Sequence, residues 1–349
     1  MVTALRVHQL GPDGLRLDEV PLVDPGASEV LVRVHRAALN YLDLLVVNGT
    51  FNPSLPLPHI PGSDVAGVVE RVGREVRDVK EGDAVISTFI RAWLSGPPTV
   101  AVLPYALRPG LGMGAPGLFA THVLLPTYGL VPKPPTMSFD LAATLPIAGL
   151  TAWNALKYAA LEPGQSLLLY GTGGVSLFAL VFARMRGLRV VVVGTSTRKL
   201  EQAQALGASI AVDRGRSADW KQEVLAATGG EGVDAVFDVV GGETLNDSIA
   251  LVKPRGRVVF CGLLDGFRVP FDTGGFLFKQ AQLIGMEVGS RADFVALLQG
   301  LDASGYPEAL QRVVDVVVPA SDAPQAFKRL AAREHIGKVV LNFEEVGTP

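Results

Sequence analysis

The chain has 349 residues, 48% hydrophobic and 19% charged, with a formal net charge of −3. That length predicts two domains with substantial cores, and the near-neutral balance without a Lys/Arg run excludes a nucleic-acid-binding surface of the usual electrostatic kind. The single cysteine, Cys261, excludes an internal disulfide framework and any multi-cysteine zinc site.

The N-terminal MVTALRVHQL lacks the pattern of a signal peptide, and no apolar run approaches the ~20 residues of a membrane span. A cytoplasmic protein without a membrane partner is expected. Residues 1 to about 149 read as short strands between turns: 30–34, then 64–73 closed by Gly73, then 84–87 after the turn Gly82-Asp83. Residues 95–117 are rich in Gly and Pro and form a loop or lobe. From about 150 to 288 strands alternate with helices: strand 166–170, helix 175–186, strand 189–193, helix 197–206, strand 209–212, helix 217–227, strand 234–240, helix 242–252, strand 257–261. Gly187 and Gly207 end the first two helices. This alternation predicts α/β architecture with a doubly wound parallel sheet. The tail, 289–349, gives helix 291–302, strand 312–318, helix 321–333 and strand 338–342, and is expected to return to the first, mainly β domain.

The most informative segment is Leu167-Leu168-Leu169-Tyr170-Gly171-Thr172-Gly173-Gly174-Val175-Ser176. An apolar strand ends in three glycines within four residues, and an apolar helical segment starts at once. Such a turn brings backbone N–H groups and a helix N-terminus close to a phosphate, so Gly171, Gly173, Gly174 and Val175 are candidate cofactor contacts. Ser176 takes the place of the third glycine of that fingerprint.

An acid at the end of the second strand selects NAD by bonding the ribose hydroxyls. Here the strand ends in Gly194-Thr195-Ser196-Thr197-Arg198-Lys199, with hydroxyls and two cations in place of a carboxylate. Gly194, Thr195, Ser196, Arg198 and Lys199 therefore favour the 2′-phosphate of NADPH. The alternative is that Thr197 caps the next helix and the two cations are solvated.

Together these features resemble the zinc-free branch of the medium-chain dehydrogenase/reductase superfamily, near the quinone oxidoreductases. The specific matches are 39–43 (LNYLD), 61–73 (PGSDVAGVVERVG), 145–153 (LPIAGLTAW), Gly171 to Val175 and 335–341 (HIGKVVL), in the family's order. The Trp93 lobe and the GTGGVS loop resemble the atypical zinc-type alcohol dehydrogenase-like subgroup. The resemblance implies a GroES-like catalytic domain, 1–149 with 289–349, and a Rossmann domain, 150–288. Metal-dependent members hold zinc through a Cys, a His-Glu pair and a second Cys. The matching residues here are Asn40, Ser63 with Asp64, and Ala148. No zinc is expected, because three soft ligands are gone. The five histidines show no ligand spacing.

By the same resemblance Asn40 and Tyr41 lie near the nicotinamide, where an amide and a phenol bond a carbonyl oxygen; Tyr41 is alternatively a packed aromatic. Asp43 is expected to orient the turn. Thr151 packs against the nicotinamide, or is an ordinary helix residue. Gly262, Leu263 and Leu264 end one strand, and Val239 and Val240 line the adenine side. Gly289, Ser290, Arg291 and Lys338 close over the cofactor. Arg214 stacks on adenine or pairs with the 2′-phosphate, or is simply exposed. Phe51, Phe89, Trp93 and Tyr105 either line a flat apolar pocket or pack the loops. Gln280 to Met286 reads as an edge strand for a homodimer. The expected function is NADPH-dependent reduction of a small-molecule quinone or α,β-unsaturated carbonyl without zinc. A zinc-independent alcohol or aldehyde reductase and a non-catalytic NADPH-binding protein are the alternatives.

Overall fold

The computed structural model describes residues 1–266, 268–305 and 307–346. The chain divides into two compact units, Met1–Leu150 with Gly289–Pro349, and Thr151–Val288.

The first unit opens with β1 (Val2–Val7) antiparallel to β2 (Leu15–Val20). Then come β3 (Glu29–Ala38), α1 (Tyr41–Val47), β4 (Asp64–Val72), β5 (Ala84–Ser87), β6 (His122–Pro126), β7 (Leu130–Pro132) and α2 (Phe139–Ala142). β3 runs ten residues, double the apolar run that signalled it, because it pairs with β4 on one side and with both β6 and a C-terminal strand on the other.

The second unit follows a βαβ rhythm. α3 (Leu150–Ala159) leads into β8 (Ser166–Tyr170), α4 (Gly174–Met185), β9 (Arg189–Gly194), α5 (Thr197–Ala205), β10 (Ile210–Asp213), α6 (Trp220–Ala227), β11 (Val233–Asp238), α7 (Thr244–Leu251), β12 (Val252–Phe260), α8 (Thr273–Lys279) and β13 (Gln282–Gly285). All pairings are parallel, in the order β10-β9-β8-β11-β12-β13. Strands buried on both faces read as continuous apolar runs, and every residue of β8 is buried. The order reverses between β8 and β11, and such a switch point opens a crevice at the strands' carboxyl ends.

The chain then returns to the first unit with α9 (Arg291–Ala303), β14 (Val314–Pro319), α10 (Ala323–Ala331) and β15 (Lys338–Asn342). α10 turns Ala323, Ala326, Phe327 and Leu330 to the core, spaced for one helical face. β15 inserts between β14 and β3, parallel to the first and antiparallel to the second.

Two strand boundaries and one helix stand out against the sequence reading. β11 stops at Asp238 rather than running through Val240, because the Asp238 carboxylate takes the Val240 and Gly241 N–H groups, each at 2.9 Å. β12 begins at Val252, five residues before the expected start, since Val252 pairs with Val233. α8 went unread, because its first turn is Thr273-Gly274-Gly275. Its Asp272 cap accepts from the Gly275 N–H.

Candidate functional site

One candidate region lies in the first unit, at one end of three adjacent strands. Ala38 of β3 pairs with Asp64 of β4 and with Val340 of β15. Continuing the β3–β15 register past Ala38 sets Asn40 opposite Lys338. Strand pairing thus gathers Asn40, Ser63, Asp64 and Lys338, and α1 adds Asp43.

These groups form a buried polar cluster. The Lys338 ammonium donates to the Leu39 carbonyl and, at 2.7 Å, to Asn40 Oδ1. Asn40 is the N-cap of α1, and its backbone N–H donates to Asp43 Oδ2 at 2.8 Å. Ser63 Oγ donates to Asp64 Oδ1 at 3.0 Å, and the Ile147 N–H to Asp64 Oδ2 at 3.1 Å. Asp43, Ser63, Asp64 and Lys338 are all buried. Burial, reinforced by the Asp64 charge, pushes the Asp43 carboxyl up to about 7. Burial raises Asp64 too, opposed first by Lys338. Burial lowers the Lys338 ammonium, and the two carboxylates oppose that shift.

Asn40 and Lys338 are placed differently from the sequence reading. The Asn40 carboxamide is turned into the chain: Oδ1 serves Lys338, and Nδ2 is buried without a well-formed hydrogen bond, in the field of the two carboxylates. Lys338, expected over the cofactor, spends its ammonium on Leu39 and Asn40. Tyr41 is half-buried, its ring packed on the core, and its hydroxyl makes no hydrogen bond among the described residues.

The residues matching the zinc positions do not fit that metal. Asn40 Oδ1 already accepts from an ammonium, both Asp64 oxygens accept from the chain, and Ala148 has no donor atom. Zinc prefers thiolate and imidazole. Among the described residues no group of three or more His, Cys, Asp or Glu side chains is placed to hold a metal.

Other first-unit candidates are engaged in packing. Ser290 caps α9, its Oγ donating to Asp293 Oδ2 at 2.6 Å. Arg291 donates its backbone N–H to the Trp93 carbonyl and Nε to Leu130, both at 2.8 Å. Gly289 immediately precedes this cap. Phe89 and Trp93 are buried, and Phe51 meets Tyr105 edge-on at 5.4 Å. The lobe they border is held by buried Arg108, whose Nη1 donates to the Val102, Leu103 and Pro104 carbonyls.

A separate candidate region, in the second unit, lies at the carboxyl ends of the parallel sheet. After β8, Gly171 turns at φ 73° and donates its N–H to the Val193 carbonyl at 2.7 Å. Gly173 caps α4 with φ −75° and ψ 175°, a conformation open to any residue. A Cβ at Gly173 would meet nothing within 4 Å. Neither strain nor internal crowding requires glycine there, and the open space leaves room for a ligand to approach the backbone. The first N–H groups of α4, from Gly174 and Val175, lack intrahelical acceptors and face that approach. The turn therefore fits the pyrophosphate of a dinucleotide. Ser176 explains its own presence: Oγ donates to the Tyr170 carbonyl at 2.7 Å, tying helix to strand.

Around the turn, β9 ends at Gly194 and Ser196 caps α5. Thr195 and Arg198 are exposed, and Lys199 is half-buried. The Thr197 hydroxyl donates to Asp213 Oδ2 at 2.7 Å. The sequence reading missed this carboxylate, because it belongs to β10 rather than to the second strand. The Arg214 guanidinium lies over the Tyr170 ring, 6.0 Å from its centroid. Val239 and Val240 follow β11, and Gly262, Leu263 and Leu264 follow β12. Their backbones touch so closely that a Cβ at Gly262 would fall 2.1 Å from the Val239 carbonyl carbon. Thr151 is buried near the start of α3.

A doubly wound sheet with a turn suited to a phosphate, and a separate unit built on a GroES-like sheet, together define a nucleotide-dependent dehydrogenase or reductase. The "Alcohol dehydrogenase GroES-like domain" family matches residues 26–135, and the "Zinc-binding dehydrogenase" family matches 174–303. A zinc-type alcohol dehydrogenase-like protein of Schizosaccharomyces pombe is 37% identical, covering 93% of this chain and 94% of its own. A quinone oxidoreductase of Rattus norvegicus is 28% identical over 98% of both chains. A mycobacterial protein solved in complex with NADPH superposes with a TM-score of 0.81 at 26% identity, covering 98% of this chain and all of that one. The chain belongs to the medium-chain dehydrogenase/reductase superfamily, as an NAD(P)H-dependent oxidoreductase. Among the described residues no helix is long and apolar enough to cross a membrane.

Proposed function

We propose that the protein uses NADPH to reduce a quinone or an α,β-unsaturated carbonyl compound without zinc. The observation that carries this reading is the ammonium of Lys338, bound to Asn40 Oδ1 where a metal-dependent relative would need a ligand. Without a Lewis acid, alkoxide-stabilised alcohol oxidation loses its usual support, and reduction of an already polarised acceptor is favoured.

A nicotinamide, when bound, would supply a hydride, that is, one proton together with two electrons. The α4 N-terminus and the Gly171–Gly174 turn hold the pyrophosphate. Thr195, Ser196, Arg198 and Lys199 serve the 2′-phosphate, with Arg214 at its side. Tyr41 offers its unbonded hydroxyl to the acceptor oxygen as negative charge develops there, and a proton completes the two-electron reduction. Asn40 supports Tyr41 from within. The exposed edge of β13, beside Leu277 and Phe278 at 69% and 85% exposure, is the proposed homodimer contact.

The test is NADPH oxidation across quinones, enones, aldehydes and alcohols, with elemental analysis of chelator-free protein. The reading expects turnover on quinones or enones, zinc far below one per chain, and a dimer in light scattering. Turnover confined to aldehydes or alcohols, or tight NADPH binding with no turnover, overturns the substrate assignment. About one zinc per chain overturns the metal-free mechanism.

A further inference from the structure

Burying an ammonium is costly, and a methionine of similar length would fill the Lys338 position without that cost. The energetic case for lysine therefore has to lie in what it holds. Its two acceptors, the Leu39 carbonyl and Asn40 Oδ1, belong to the two residues directly before Tyr41. Asn40 is gripped a second time, its N–H on Asp43 Oδ2. Leu39 is tied to β15 once more, by its own N–H on the Val339 carbonyl at 3.0 Å. The chain entering α1 is thus clamped on both sides, by β15 and by the helix's own first turn.

We propose that Lys338 is a positioning residue: acting through Leu39 and Asn40 as the internal cation of this cluster, it fixes the start of α1 and hence the direction of Tyr41. The proposal rests on the reading of Tyr41 as the group presented to substrate. It gives the buried charge a task that a metal-free centre leaves open. The cation is carried by the chain itself, and its geometry does not depend on metal supply. Asp43 and Asp64 complete the device, since they are the charges that sustain the ammonium against burial.

The test compares Lys338→Met, Lys338→Arg, the double variant Lys338→Met/Asp64→Asn, and Tyr41→Phe, using NADPH and a naphthoquinone. Fluorotyrosine at position 41 gives a readout that needs no turnover. In Lys338→Met, kcat should fall about tenfold or more while the KM for NADPH stays within about twofold. The double variant should recover thermal stability, because the unbalanced charge is gone, without recovering kcat. Lys338→Arg should restore part of kcat. The fluorine resonance, single and sharp in the parent, should shift or broaden in Lys338→Met. A double variant that regains both stability and kcat makes Lys338 a charge balance only and overturns the proposal, as does an unchanged fluorine resonance. If Tyr41→Phe keeps full activity while that resonance still moves, the catalytic reading of Tyr41 fails and the positioning role stands.

Discussion

Asp238 in the second unit and Asp64 in the first are both fully buried, and the chain treats them differently. Asp238 receives four donors: the Val240 and Gly241 N–H groups and the Thr244 hydroxyl on Oδ1, and the Ser248 hydroxyl on Oδ2. Asp64 receives two direct donors, and its partner Asp43 has one backbone N–H; both are pushed up by burial and lean on Lys338. A buried carboxylate needs either a full set of neutral donors or a cation. The first solution makes a rigid scaffold, here the turn carrying Val239 and Val240. The second makes a cluster whose shape and charge are tied together.

The comparison breaks most visibly at Asp238. Asp238→Ala removes the shared acceptor of four donors, of which only the Thr244 hydroxyl has a second well-placed acceptor, the Gly241 carbonyl at 2.8 Å, and should lower stability by about 3 kcal/mol or more in chemical unfolding. A loss under about 1 kcal/mol would show that the donors find water and that the scaffold does not depend on the carboxylate.

Arg198 tests the open face of the same unit. Arg198→Ala should weaken NADPH by roughly 1.5–3 kcal/mol, about ten- to a hundred-fold, and leave NADH nearly unchanged in fluorescence titrations. Equal losses for both cofactors would return Arg198 to a solvated surface role.

Two glycines sharpen the contrast between internal and external demand. A Cβ at Gly62 would sit 2.1 Å from the Phe119 ring and φ there is +92°, so that glycine serves the fold. At Gly173 the space is empty. Gly173→Val should therefore leave the melting temperature almost unchanged and weaken NADPH about tenfold. Destabilisation with intact cofactor affinity would contradict the ligand reading of the turn.

Asp43 gives an effect of definite sign. Its carboxyl titrates near pH 7 in the folded chain against an ordinary 3.8, so the folded state binds the proton more tightly than the unfolded state. Stability from this group is present at low pH and is lost as pH rises through that window. Relative to Asp43→Asn, the parent should lose stability between pH about 4 and about 7 and no further above it, measured by urea unfolding. A gain over the same interval would show that Lys338 dominates the pair.

Much of this was written locally in the chain. The β8 turn announced itself because an apolar run met three glycines, and the βαβ alternation carried the parallel sheet. The Asn40, Ser63–Asp64 and Ala148 replacements were equally plain, since each is a residue type at a matched position. The contacts of Lys338 escaped the sequence for a physical reason: its partners lie some 300 residues earlier, and only the β3–β15 register brings them together. Asp213 escaped because its contact with Thr197 crosses from one strand end to the next. The early end of β11 depended on a side chain competing for backbone N–H groups, which no periodicity displays.

The insertion of β15 between β14 and β3 also sets an order of assembly. On a ribosome the first 150 residues emerge with the sheet edge of β3 that awaits β15 still unfilled and the Asn40 clamp missing its cation. The whole nucleotide-binding unit must be made before Lys338 appears. The first unit is therefore completed only after the second has been made, by a strand that closes one of the chain's longest loops, and a polypeptide that stops short of it lacks the ammonium on which the α1 start is hung. Synthesis through β15 becomes a condition for a working centre, so a chain ended ahead of that strand is silent rather than partly active.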